Sequence, residues 1–317
     1  MQHLLLGLPV RQLGRAPFVA ALRDAADVRV RDLGLDVALG ASIYVAANIG
    51  GFVGSDHVAA LHATRGLWMS ATTSLVMDIG TNTEISLIHR GEILSVSCPS
   101  GPALEGGHIS CGMRAADGAI ERVRANEERL AVTTIGDRPA VGICGSGILD
   151  AVAASHHLGI LDRGGRIIGH HPSVGKVDGR RAILLAPGVH VTQSDIRAVQ
   201  LAKAAIRTGV DLLLEQMDIE EPAIERFILA GAFGSFIDVP SALEIGLFPD
   251  IPIDRFLQVG NAAGVGITRM LASGAERSAA QDLAARSTYV ELSTRPAFQK
   301  CFMRNIGFEA AGEGRRL

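Results

Sequence analysis

The sequence predicts an α/β fold, and three features carry that expectation. Apolar runs of strand character alternate along the chain with segments of helical periodicity, and glycine recurs where strands end. The segment "QSDIRAVQLAKAAIRTGVDLLLEQMDI" sets Ile196, Val199, Ala202, Ile206, Val210, Leu213 and Met217 at helical spacing, the stripe of a helix packed on a sheet. With 317 residues and 48% hydrophobic content, the chain can bury one large core or the cores of two lobes.

In order, residues 1–72 mix helix, strand and turn. "DVRVRDLGLDVAL" alternates like a strand region, and "SDHVAALHATRGL" reads as a helix that Ser55 or Asp56 can cap. "LVMDIGTNTEISLIHRGEILSVSC" is a run of strands turning first at Gly80 to Asn82 and again at Arg90-Gly91. "PSGPALEGGHISCGMRAADGAIERV" reads as a Gly/Pro-rich loop leading into short helices. "AVGICGSGILDAVAASHHLGIL" gives a strand, a glycine turn and an amphipathic helix, and residues 163–193 give short strands with turns. Thr192 and Asp195 form a capping pair for the long helix that follows. "ERFILAGAFGSFID" is a strand with a glycine turn, and "LQVGNAAGVGITRMLASG" is a glycine-rich turn into a last long helix.

Composition removes several function classes. Aromatics are 4% of the chain, the formal net charge is −3 and lysine and arginine form no block, so nucleic acid is a poor partner. Cys98, Cys111, Cys144 and Cys301 are scattered without a CxxC pair, which argues against a disulfide framework and suits a reducing cytoplasm. A metal group of Cys98, His108 and Cys111 matches no usual zinc or iron–sulfur spacing, and small buried thiols are the plainer reading. "MQHLLLGLPV" lacks a basic leader and a cleavage site, and no run approaches the roughly 20 apolar residues of a membrane span. The expectation is a cytoplasmic protein with no membrane partner.

Asp78 stands at a strand end, directly before the Gly80-Thr81-Asn82-Thr83 turn. Gly80 frees the backbone to turn successive N–H groups toward anionic oxygens, and Thr81, Asn82 and Thr83 add hydroxyl or amide donors. Asp78 is placed to hold a water of a magnesium ion on that phosphate. The alternative is a plain hairpin with a buried, hydrogen-bonded Asp. Around Ala232, the missing side chains of Gly231 and Gly234 leave room for an adenosine against the backbone. Gly145, Ser146 and Gly147 open a helix, a natural anion site. Gly260 and Asn261 precede small residues that allow close packing between lobes. Tight helix–strand packing is the alternative explanation for each of these.

The order Asp78-Ile-Gly-Thr-Asn-Thr-Glu84, Leu229-Ala-Gly-Ala-Phe-Gly234 and Gly260-Asn-Ala-Ala-Gly264 resembles the actin, sugar-kinase and heat-shock chaperone ATPase superfamily. These match its second phosphate motif, adenosine motif and second connecting helix. The closer resemblance is to the ATP-dependent reductive activators of corrinoid proteins. It rests on "MQHLLLGLPVRQLGRAPF", "GFVGSD", "DIGTNTEISL", "SGPALEGGHISCGMRAADGAIERV", "ICGSGILDAV", "DIRAVQLAKAAIRTGVDLLL" and "LAGAFGSFID".

This resemblance implies an actin-like ATPase (ribonuclease H-like) fold, with residues 1–72 as a remnant of the first lobe and 73–317 as the second. It implies ATP and Mg2+ as cofactors: Asp78 serving the metal, Gly80 to Thr83 the β- and γ-phosphates, and Gly231 to Gly234 the adenosine. Asp56 either orients the attacking water or caps its helix. Lys203 and Gln200 either touch the nucleotide or lie on an exposed helix face. Glu105 either approaches the metal or caps the next helix. The family continues leftward of "MQHLLLG", which implies that Met1 falls inside the first lobe. On that reading the first phosphate loop and a [2Fe–2S] ferredoxin domain are missing, and the chain holds no iron–sulfur cluster. The implied partners are a corrinoid protein and a separate ferredoxin-like electron donor, with a homodimer as a further expectation. The function expected is the ATP-binding module of an activator that restores Co(I). The alternatives are a non-catalytic relic or regulatory nucleotide-binding subunit, or a small-molecule kinase, against which the "SGPALEGGHISCGMRAADGAIERV" segment argues.

Overall fold

The computed structural model describes residues 2–38, 40–126 and 129–308. Before residue 73 lie α1 (Gln2–Leu5), β1 (Ala26–Arg29), β2 (Ser42–Val45), α2 (Ser55–Ala63) and α3 (Arg65–Trp68). Then come β3 (Thr73–Ile79), β4 (Thr83–His89), β5 (Glu92–Cys98), β6 (Ala119–Asn126), β7 (Arg129–Thr134), β8 (Gly142–Ile143) and α4 (Gly145–His157). The remainder is β9 (Val174–Val177), β10 (Arg180–Ala186), β11 (Val189–Thr192), α5 (Gln193–Gln216), β12 (Arg226–Ala230), α6 (Val239–Glu244), β13 (Phe256–Gly260), α7 (Ala262–Ala272), α8 (Gly274–Arg286), β14 (Ser287–Tyr289) and α9 (Pro296–Arg304).

Six strands form the main sheet in the order β13-β12-β3-β4-β5-β14. The hairpins β3–β4 and β4–β5 are antiparallel, while β12 joins β3, β13 joins β12 and β14 joins β5 in parallel. Alternation with period two splits the strand residues between two layers. Leu75, Met77, Ile85, Leu87, Phe227 and Leu229 meet the apolar stripe of α5 and the inner face of α4. Val76, Ile88, Ile93 and Ile228 meet α2, α7 and α8 through Val58, Leu61, Met270 and Leu283. The α/β fold is the one expected.

Both turns of the β3–β4–β5 meander fall where the sequence places them. So does the start of α5, whose Thr192 and Asp195 exchange capping bonds. Three expectations change. The segment after "PALEGG" runs not into helices but into β6, whose Ala119, Ile120 and Val123 are buried in the α4 layer. The last long helix is two helices, because Ser273 takes an extended conformation and caps α8 by accepting from the Glu276 N–H. The strand-like "DVRVRDLGLDVAL" closes after Arg29 into a 3-10 turn.

Two contacts fix α2 on its layer. Gly266 of α7 lies against Ala59 of α2, and a Cβ there would stand 2.0 Å from the Ala59 carbonyl oxygen. His57 is 1% exposed and hydrogen-bonds through Nε2 to Ser86 Oγ at 2.7 Å, and Ser86 Oγ continues to Ser95 Oγ at 2.6 Å. Burial pushes the His57 imidazole down to about 3.

Gly266→Ala should lower stability by about 3 kcal/mol in urea titrations, since backbone must move to admit the methyl group. Gly274→Ala, where a Cβ meets nothing within 4 Å, should be neutral or slightly stabilising. Equal midpoints for the two variants would contradict the α2–α7 contact. His57 also sets a pH dependence. Its folded pKa lies below the unfolded value, so its contribution is complete above about pH 6.5 and is lost as the pH falls toward 3, by at most about 1.4 kcal/mol per pH unit. Unfolding at pH 7.5, 6 and 5 should show a steeper acid loss for the wild type than for His57→Gln. Parallel slopes would exclude His57 as the titrating group.

Candidate functional site

The site is built by strand pairing. In the parallel ladder of β12 and β3, Ala230 stands opposite Asp78, so the bends after the two strands emerge side by side. Gly231 has φ +90°, and a Cβ there would lie 2.6 Å from Asp78 Oδ1 and 2.8 Å from the Ile79 carbonyl oxygen. Only glycine permits that approach. The Gly231 N–H donates to the Gly260 carbonyl at 2.9 Å, which brings in the bend after β13. Three glycine bends thus meet at the ends of neighbouring strands β3, β12 and β13.

Within the first bend the Gly80 N–H donates to the Asn82 carbonyl at 3.1 Å, and Thr81 and Asn82 are exposed. Thr81 Oγ1 lies 3.1 Å from both carboxylate oxygens of Glu105, to which it donates. Glu105 closes the 3-10 turn Pro102–Glu105 and faces the Gly80 bend. The chain beyond it runs on toward β6, so it caps no helix. Thr83 departs from its expected role. It is buried, its Oγ1 pairs with Ser100 Oγ at 2.9 Å, and the Ser100 hydroxyl reaches the carbonyls of Gly80 and Thr81. It supports the bend from beneath rather than facing a ligand.

Asp78 and Glu84 are directly opposed across the hairpin and therefore share a face, the one covered by α2. Burial first, and the Asp56 charge second, push the Asp78 carboxyl up to about 6. Burial and the charges of Asp56 and Asp78 push Glu84 up to about 8, against the Ser97 hydroxyl, which donates to Glu84 Oε1 at 3.0 Å. Asp56 is exposed on the first turn of α2 and accepts the His57 N–H at 2.9 Å, while the N-cap position belongs to Gly54. These acids repel one another, and among the described residues no three His, Cys, Asp or Glu side chains gather closely enough to hold a metal ion.

The remaining expected residues divide. Gly145 packs against the Leu104 carbonyl and the Phe233 ring, between the Glu105 turn and the Gly231 bend. Ser146 is buried and donates to the Glu121 carbonyl at 2.9 Å, and Gly147 packs on the Ile120 carbonyl. These three lie beside the site with their side-chain room spent on packing. Ala232 is exposed and Gly234 buried, on either side of Phe233. Asn261 Oδ1 accepts the Gly264 N–H at 2.8 Å and caps α7.

Lys203 is the clearest correction. It is 2% exposed, its Nζ donates to the Gly307 carbonyl, and it lies 5.7 Å from the Phe308 ring. Its neighbour Gln200 donates to the carbonyls of Gly164 and Ile306. The pair lies on no exposed face; it anchors the segment after α9. A cavity of about 280 Å³ lined by Trp68, Ile88 and Leu283 sits beside the Gly91 turn, at the other end of β4 from the site. Glu84 is the residue sequence reasoning missed, although hairpin symmetry about Thr81 pairs 78 with 84.

Among the described residues no helix is long and apolar enough to cross a membrane. The family described as the C-terminal domain of RACo, the ASKHA domain, matches residues 72–313, and the RACo middle region matches residues 1–66. The corrinoid activation enzyme RamQ of Eubacterium limosum is 36% identical over 97% of this chain and 54% of its own length. The [Co(II) methylated amine-specific corrinoid protein] reductase of Methanosarcina barkeri is 28% identical over 67% of this chain and 41% of its own. The solved structure of a reductive activator for corrinoid, iron-sulfur protein superposes with a TM-score of 0.87 and 32% identity, over 97% of this chain and 51% of that one. The chain thus spans about half the length of these relatives. With the ASKHA match covering most of its residues and the middle-region match covering those before it, the chain belongs to the RACo family.

Proposed function

We propose that this chain is the ATP-binding module of a reductive activator, acting on a corrinoid protein to return its cobalt from Co(II) to Co(I). The observation that carries the reading is the meeting of the Gly80, Gly231 and Gly260 bends beside Asp78, in a family whose relatives are corrinoid activators. Asp78 would hold Mg2+ through the ion's waters, because among the described residues no three acids gather closely enough to ligate it directly. Bound there, the ion would supply countercharge to the β- and γ-phosphates.

The backbone of residues 80–82 would face the phosphates, and Asp56, exposed at the start of α2, would orient the water that attacks the γ-phosphate. Hydrolysis consumes one water and yields ADP and phosphate. Reduction of cobalt takes one electron, and a ferredoxin-like iron–sulfur carrier supplies it. The cysteines here stand in four separate settings: Cys98 against Gly209, Cys111 beside His190, Cys144 beside Ser146 and Cys301 on Asp211. ATP would act through shape, by altering the surface presented to the corrinoid protein when the bends close on the phosphates.

Calorimetry with ATP, with and without Mg2+, tests the assignment on Asp78→Asn. The variant should bind Mg-ATP about tenfold more weakly or worse. It should bind metal-free ATP at least as well as the wild type, because a repelling charge is gone. Equal Mg-ATP affinity in both proteins would remove Asp78 from the site. With a reduced iron–sulfur donor and a Co(II) corrinoid protein, the wild type should give an ATP-dependent rise of the Co(I) absorption band. A rise of the same rate without ATP would refute the coupling.

A further inference from the structure

The bend after β12 is held by side chains as well as by its own backbone. From β13, Gln258 Nε2 donates to the carbonyls of Gly234 at 2.8 Å and Ile237 at 2.9 Å. From β6, on the far side, Arg122 donates to the Phe236 carbonyl at 2.8 Å. Arg124, two residues on, reaches Asp238 Oδ1 at 2.7 Å, and Asp238 itself caps α6. Both arginines share one anchor, Asp150 of α4, at 3.7 Å from Arg122 and 3.1 Å from Arg124. Asp150 is fully buried, and its Oδ2 also accepts the Val123 N–H.

This is costly construction for a loop. A buried carboxylate needs strong compensation, and two long flexible side chains lose rotamer freedom to supply it. A surface turn that merely joined β12 to α6 would need only its own Phe233–Phe236 backbone bond. Three carbonyls between Gly234 and Ile237 are instead pinned from two sheets, which fixes the orientation of the peptide planes between them. Phe236 keeps its ring exposed while its carbonyl is pinned.

We propose that Arg122, Arg124 and Gln258, with Asp150 as buried countercharge, are positioning residues that set how the base and sugar of the nucleotide are held. The inference rests on the nucleotide reading above, and it separates two ends of the ligand. The phosphate end is made by the β3–β4 bend and its acids, and the nucleoside end by a loop whose shape the clamp maintains.

The test uses the full chain and two ligands, Mg-ATP and Mg-tripolyphosphate, which share the phosphates and differ in the nucleoside. Arg122→Met with Gln258→Leu removes the donors to all three carbonyls, yet leaves Arg124 on Asp150, so no buried charge is orphaned. The double variant should bind Mg-ATP about tenfold more weakly and Mg-tripolyphosphate within about twofold of the wild type. Arg122→Lys, which restores a donor, should recover most of the ATP affinity lost in Arg122→Met. Equal weakening for both ligands would mean a general structural role and would overturn the proposal, as would unchanged ATP affinity. A wild type that binds neither ligand would instead overturn the nucleotide reading itself, a result distinct from either.

Discussion

The parallel ladder between β3 and β12 is the constraint on which the site depends. Pairing Ala230 with Asp78 sets the two bends next to each other and makes Gly231 a requirement of space. A slip of one residue in β3 would exchange its two faces. Asp78 would then turn toward α5 and α4, into the layer that now holds Met77, Ile79 and Ile85. The apolar alternation of β3 and β12 therefore protects the position of the acid as firmly as it builds the core. Burying Val76 and Ile228 on one face and Leu75, Met77, Phe227 and Leu229 on the other leaves a single register that satisfies both layers.

The same packing creates the electrostatics. Glu84 faces α2 because it stands opposite Asp78, and in that layer its charge loses water while facing two other carboxylates. At neutral pH its carboxyl is largely protonated, while Asp78, pushed up to about 6, is largely ionised. The ends of β3 and β4 therefore carry less negative charge than their count of acids implies. The tie from His57 through Ser86 to Ser95 fixes the start of α2 on the sheet, and Asp56 is the residue just before that tie. A neutral imidazole is suited to the task, since a charged one would add a buried cation to the apolar α2 layer.

Much of this was legible in the sequence, for identifiable reasons. The β3–β4–β5 meander, the start of α5 and the glycine bends follow from local chemistry: alternation, turn residues and a capping pair all lie within a few positions of their effects. Glu84 was also within reach, because a turn centred on Thr81 pairs 78 with 84 by counting. What local reasoning missed depends on distant partners. Lys203 carries the marks of a solvated helix face, yet it is buried with its Nζ on the Gly307 carbonyl and near the Phe308 ring. Thr83 resembles its neighbour Thr81, yet Ser100 from beyond β5 claims its hydroxyl. The strand character of β6 was masked by the Gly/Pro-rich loop before it, and it becomes a strand by pairing with β7 and β8.

The two ends of the site draw their rigidity from different parts of the molecule, and this bears on how binding could be transmitted. The Asp78 end is fixed by the main sheet and by α2. The loop at 231–238 springs from that sheet through β12, but β6 and α4 hold its far side through Arg122, Arg124 and Asp150. Gly145, at the start of α4, touches both Leu104 next to the Glu105 turn and Phe233 in the loop. A ligand spanning both ends would therefore bear on the α4–β6 unit at two points, the turn that holds Thr81 and the loop beyond Gly231. The apolar face of that helix is part of the main core, so α4 is held by close packing along its length. Under the nucleotide reading proposed above, phosphate and nucleoside contacts would be coupled through this packing, the property required of a module that converts nucleotide binding into a change at a partner's surface.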